Sequence, residues 1–140
     1  MNDMKRLIAA LVIAGGLVTA CNNKPADKPA TATDAGRDFI RATLDGDFKT
    51  ADALLLDDEH NRELFASYKS FYDHMPEDKK QAYKKASYNI NTFTDVNDSV
   101  SLINYSNSYM NQPMNIKLVK KNSEWKVDFK YTSEEIDSAR

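Results

Sequence analysis

The sequence predicts an α+β domain with helices first and sheet second, and three observations carry that prediction. Apolar residues recur at helical spacing from Ala35 to Ala86, then alternate with polar ones from Tyr88 to Tyr131, and the alternating runs are joined by short connections. Short connections make neighbouring strands antiparallel. A sheet with one apolar face must be covered, and the preceding amphipathic helices are available to cover it. The expectation is N-terminal helices packed on a curved four-stranded antiparallel sheet over residues 34–132.

In the first helix Ala35, Phe39, Ile40 and Leu44 share one face, with Arg37, Asp38 and Arg41 opposite. Thr33 or Asp34 can cap its start, and Gly46 can supply the left-handed residue after its end. Asp47 then caps a short second helix that buries Phe48, Ala51, Leu54 and Leu55. Asp57, Asp58 and Glu59 put negative charge at the start of a third, where the helix dipole favours it. That helix carries Leu64, Phe65, Tyr68, Phe71 and Tyr72 on one side. Pro76-Glu77-Asp78 opens a polar fourth helix that ends near Ala86.

The strands follow. Tyr88, Ile90 and Thr92 alternate with Asn89 and Asn91, Asp95 falls at a turn, and Asn97-Asp98 closes that turn. Val100, Leu102 and Asn104 alternate with Ser101, Ile103 and Tyr105; Met114, Ile116 and Leu118 alternate with Asn115, Lys117 and Val119. Residues 121–124 read as a hairpin turn. Trp125, Val127, Phe129 and Tyr131 then alternate with Lys126, Asp128 and Lys130, which puts the aromatic set inward. Trp125 is expected to be a core anchor beside Phe39 and Leu44.

Ahead of the domain lies a targeting segment. Lys5 and Arg6 precede an apolar run of eleven residues, Leu7 to Leu17. That is short of the roughly 20 apolar residues that span a bilayer and fits the core of a cleavable export signal over residues 1–20. Val18-Thr19-Ala20-Cys21 resembles the bacterial lipobox. The resemblance implies that Cys21, the single cysteine, takes a diacylglycerol and becomes the first residue after cleavage. Asn22, rather than Asp, follows it, which by the same resemblance favours the outer membrane facing the periplasm. Residues 21–33 are rich in Pro, Ala and Thr and read as the lipidated cysteine and a solvated tether. Residues 133–140 read as a polar tail.

The text AGRDFIRATLDGDFKTADALLL resembles the opening of the nuclear transport factor two-like (cystatin-like) domains, with Asp45-Gly46-Asp47-Phe48 at the inter-helix turn. The closing IKLVKKNSEWKVDFK resembles their final strand pair. The nearest resemblance is to bacterial lipoproteins of unknown function that carry such a domain behind a tether. It implies a sheet curled into a cone around the helices, often with a pocket inside. The fold hosts isomerases, dehydratases, binding proteins and scaffolds, so it does not give the function.

Composition excludes several classes. A net charge of −2 argues against a nucleic-acid binder, which needs a basic face. One cysteine excludes a disulfide framework and a cysteine zinc site, and two histidines disfavour a histidine metal centre. The glycines leave no phosphate loop, and no nucleophile elbow or zinc-protease motif is present. Asp57, Asp58, Glu59 and His60 are consecutive, so their side chains diverge around a helix and serve its charged start rather than a metal. Lys79, Lys80, Lys84 and Lys85 form a solvated basic face. No catalytic residue, metal or cofactor is therefore expected. Tyr68, Tyr72 and His74 are the candidates to line a pocket, because each joins an apolar body to a polar tip. The expected function is an envelope domain, anchored to the membrane through Cys21, that binds a small molecule or an envelope protein without catalysis. A cone-fold enzyme of isomerase or hydrolase type, or a structural accessory with a filled cone, are the alternatives.

Overall fold

The computed structural model describes residues 27–132. The segments read from the sequence as an export signal and a polar tail, with Cys21 and the start of the expected tether, lie outside the described residues. Along the chain run α1 (Ala32–Asp45), α2 (Phe48–Ala53), α3 (Glu59–Asp73), α4 (Glu77–Lys84), β1 (Tyr88–Asn97), β2 (Val100–Asn107), β3 (Pro113–Lys121) and β4 (Glu124–Asp128). The fold is α+β, and its sheet is an antiparallel meander in the order β1-β2-β3-β4.

Helix α1 crosses β2, β3 and β4. Gly36 permits the approach, since a Cβ there would collide with the Ile103 side chain. Phe39, Ile40 and Leu44 bury against a sheet face built from Ile103, Ile116, Leu118 and Val127. The cap of α1 is Thr31, two residues before the earlier of the expected caps, Thr33. Thr31 is extended, and its hydroxyl accepts the Asp34 N–H at 3.1 Å. The earlier start buries Ala32, which adds to the apolar face. Gly46 ends the helix with φ 72°, while the Asp47 N–H closes back on the Ala42 carbonyl at 2.9 Å. A Cβ at Gly46 would also stand 2.5 Å from the Tyr72 hydroxyl oxygen, so glycine is required for space as well as for conformation.

Other details also differ from the sequence reading. Arg41 does more than face solvent: its guanidinium donates to the carbonyls of Lys84 and Ala86, holding the end of α4 to α1. Phe71 is 62% exposed and does not join the buried side of α3. Strand β1 runs on to Asn97, so Asp95 lies within the strand rather than at a turn. A bulge between Ile90 and Thr92 exchanges the faces, leaving Phe93 opposite buried Ile103.

The last difference is at the other edge. Strand β4 stops at Asp128 and the backbone turns helical at Phe129. The aromatic row is thereby broken. Phe129 swings into the core and packs on Phe39 at 6.2 Å and Phe65 at 5.3 Å between ring centroids. Trp125 keeps the face of Val127 but sits at the end of the strand, half-buried, with the Lys120 ammonium 5.7 Å from its ring. It is an edge residue of the core, not its anchor. Beyond β4 the chain at Leu54–Leu56 closes the sheet: Val127 donates to the Leu54 carbonyl and accepts from the Leu56 N–H, each at 2.8 Å.

Candidate functional site

Tyr68, Tyr72 and His74 fall in different surroundings. Tyr68 stacks on Phe65, and its hydroxyl shares a 2.8 Å hydrogen bond with the Tyr83 hydroxyl. Burial pushes the Tyr68 phenol well above the ordinary tyrosine value, and burial raises Tyr83 and Tyr105 as well. Tyr72 lies edge-on to Phe48 at 5.0 Å and to Tyr83 at 6.0 Å. His74 is exposed at the end of α3, where its Nδ1 is 2.7 Å from the Ser70 carbonyl. Two of the three candidates thus pack into a continuous aromatic interior, and the third sits outside it. That interior joins Phe39, Phe48, Phe65, Tyr68 and Phe129 ring against ring, and Tyr72 carries it on to Tyr83.

The start of α3 carries a polar network that the sequence signalled only as a charged helix start. Asp58 caps the helix by accepting the Asn61 N–H at 2.9 Å, and it pairs with the Lys130 ammonium at 2.7 Å. That lysine, helped by Asn61, holds the Asp58 carboxyl down at about 2. Asn61 is fully buried; its amide donates to Asp58 and Asp128 and accepts the Lys130 backbone N–H. Every polar atom here has a structural partner, so the network ties α3 to the chain after β4. Among the described residues no group of three or more His, Cys, Asp or Glu could hold a metal ion.

A cleft of about 660 Å³ opens between α1, α2 and the start of β4. Trp125, Leu54, Ala53 and Pro29 supply apolar walls, and Lys49 and Lys126 stand among its charged residues. Asp38 and Asp47 add the opposite sign, and Lys28, ahead of α1, pairs with Glu124 across one side. The Glu124 carboxyl is held below its usual range by Lys28 and Lys126, and Lys126 also donates to the Ala53 carbonyl at 2.8 Å. Apolar walls with charges of both signs suit a molecule with an apolar body and a polar or zwitterionic head. The sequence offered one trace of this site: a tryptophan beside a turn, between Glu124 and Lys126.

The two edges of the sheet are treated differently. Strand β4 is closed by Leu54–Leu56, whereas ten-residue β1 carries a single charged side chain, Asp95, and leaves Phe93 39% and Val96 55% exposed. Asp95 accepts a 2.6 Å hydrogen bond from the hydroxyl of fully buried Ser101. On the outer face Asn91, Asn104 and Asn115 form a row, joined by amide hydrogen bonds of 2.9 and 2.7 Å. The row crosses the strands beside a second cleft of about 400 Å³, lined at the next level by Asn89, Ser106 and Pro113.

No protein-family model matches this chain, and no curated protein or solved structure is significantly similar to it.

Proposed function

We propose that this chain is a lipid-anchored envelope protein, held through Cys21 in the outer membrane and facing the periplasm, with a non-catalytic binding domain of cystatin-like cone type. Its ligand is a small amphiphile, taken up in the cleft beside Trp125. The observation that carries this reading is the cleft itself: its volume of about 660 Å³ lies within the roughly 300–1,000 Å³ of sites that enclose small molecules. The aromatic interior supports placing the ligand outside the cone, because tyrosine and phenylalanine rings occupy the space a cone pocket would use. The anchor supports the choice of ligand. Cys21 precedes Asp27 by six residues, a reach of at most about 20 Å, so the cleft works within a short distance of lipid.

Calorimetric titration with a zwitterionic lysophospholipid, kept below its micellar concentration, tests the reading. A saturable one-to-one isotherm is expected, and Ala53→Trp, which fills the cleft from an exposed position, should abolish it. Heat that never saturates, or an isotherm unchanged in the variant, contradicts the reading. Fatty-acid labelling tests the anchor: incorporation should disappear in Cys21→Ser, because the acyl acceptor is a thiol.

A second reading rests on the open β1 edge. Long, weakly charged edges invite pairing with another extended chain, and β4 shows how this fold closes an edge when it is not used. A photo-crosslinker at Val96 should then give a discrete adduct that Thr92→Lys with Thr94→Lys removes. Equal labelling from a crosslinker at exposed Lys69 contradicts it.

A further inference from the structure

We propose that the cleft between the start of β1 and the β2–β3 connection is a binding site for a neutral oligosaccharide, separate from the cleft beside Trp125. Ser87, Asn89, Ser106, Asn107, Asn111 and Gln112 line it, and no charged side chain among the described residues does. A phosphate or carboxylate ligand would call for Lys or Arg, and a cation for carboxylates. Amides and hydroxyls, each both donor and acceptor, match the hydroxyl groups of an uncharged sugar, which are likewise both.

The walls are braced before any ligand arrives. The Ser108 backbone N–H donates to the Ser87 carbonyl at 2.9 Å, and the Ser87 N–H donates to the Ser108 hydroxyl at 3.1 Å. The buried Asn107 side chain accepts from the backbone N–H groups of Tyr109 and Met110 at 3.0 and 2.8 Å. Asn111 takes a left-handed conformation, φ 53°, and its N–H donates to the Asn107 carbonyl. Held groups lose little freedom on binding.

The site continues onto the sheet. The Ser106 hydroxyl donates to the Asn91 amide oxygen at 3.1 Å, which joins the cleft to the row Asn91, Asn104 and Asn115. Asparagine is disfavoured in strands, where Thr or Val would stabilise an outward face better. Asn89, Asn91, Asn104 and Asn115 all occupy strand positions. A local preference broken repeatedly on one surface marks function rather than folding. The amides along the row are fixed in orientation by one another, extending the cleft into a platform that a linear sugar chain can follow.

The cleft lies at the Ser106–Pro113 end of the β2–β3 pairing, while Trp125 pairs with Lys120 near the Val100–Val119 end. The two sites can therefore be read independently. The test records the side-chain NH₂ resonances of the uniformly labelled protein during titration with chitotetraose and, separately, maltotetraose. One of these sugars should give saturable shifts at Asn89, Asn111 or Gln112, with Trp125 emission unchanged. Asn89→Asp with Gln112→Glu, which preserve shape but remove donors, should weaken binding at least about tenfold. Ser106→Ala, which removes one of the two hydrogen bonds that orient the Asn91 amide, should weaken it less. Absence of saturable shifts with both sugars overturns the proposal, as does equal binding by the double variant or the same saturation with inorganic phosphate.

Discussion

The side-chain oxygen of Asn61 accepts the backbone N–H of Lys130 at 3.0 Å across 69 residues of sequence, and the same amide donates to the Asp128 carboxylate at 3.3 Å. One fully buried side chain thus joins the first turn of α3 to the point where β4 gives way to a helical turn. Asn61→Ala leaves a buried N–H and a largely buried carboxylate short of a partner, at a cost of about 3 kcal/mol. Urea unfolding should show a lower midpoint with an unchanged slope. A midpoint within error of the parent would mean that water replaces the amide.

Asp58 makes the same junction sensitive to pH. Its folded-state pKa, about 2, lies below the unfolded value near 3.8. The pair with Lys130 therefore stabilises fully above pH ~4 and loses that contribution as the pH falls toward 2. Asp58→Asn retains a good helix cap while removing the charge. The gap in urea midpoint between parent and variant should be widest at neutral pH and close as the pH falls toward ~2; a gap independent of pH would show that the ion pair contributes nothing.

The Tyr68–Tyr83 hydroxyl pair is the polar centre of the aromatic interior. Tyr68→Phe should cost about 1 kcal/mol by leaving the Tyr83 hydroxyl without this partner, and adding Tyr83→Phe should cost less than it does alone. Burial raises both phenols, so they stay protonated as the pH passes 10. Absorbance at the phenolate band should then show a late step that coincides with unfolding. Ionisation of every tyrosine near pH 10 in the folded protein would show that the interior is open to water.

Trp125 and Val127 share a face of β4 but not a depth, since Val127 is fully buried and Trp125 is not. Val127→Ala should cost about 2 kcal/mol. Trp125→Ala should cost about 1–2 kcal/mol, well short of the 3–5 typical of a fully buried tryptophan. Iodide should quench the native emission partially. A Trp125→Ala protein that fails to fold would restore the core-anchor role.

Periodicity made the helices, the meander and most of its inward positions legible: Phe39, Leu44, Ile116, Leu118 and Val127 lie where their spacing put them. The failures have local causes. One extra residue at Asn91 reverses the alternation of β1, and a bulge leaves no mark in the hydrophobic pattern. The alternation through Phe129 and Tyr131 continues past the true end of β4 because a helical turn also returns Phe129 to the core. The clefts were less legible still. Asn89 and Gln112, or Ala53 and Trp125, come together only through pairing register and the path of the chain after α2, and neither is written in neighbouring residues.

The central claim, that a small amphiphile binds beside Trp125 and not inside the aromatic interior, is tested most directly by the emission of the protein's one tryptophan. Titrated with a zwitterionic lysophospholipid below its micellar concentration, Trp125 should shift to the blue and lose its iodide quenching along one saturable curve. That curve should be absent in Ala53→Trp/Trp125→Phe, whose remaining tryptophan occupies the cleft. Emission that stays constant across the titration, or that changes only once micelles form, would contradict the account.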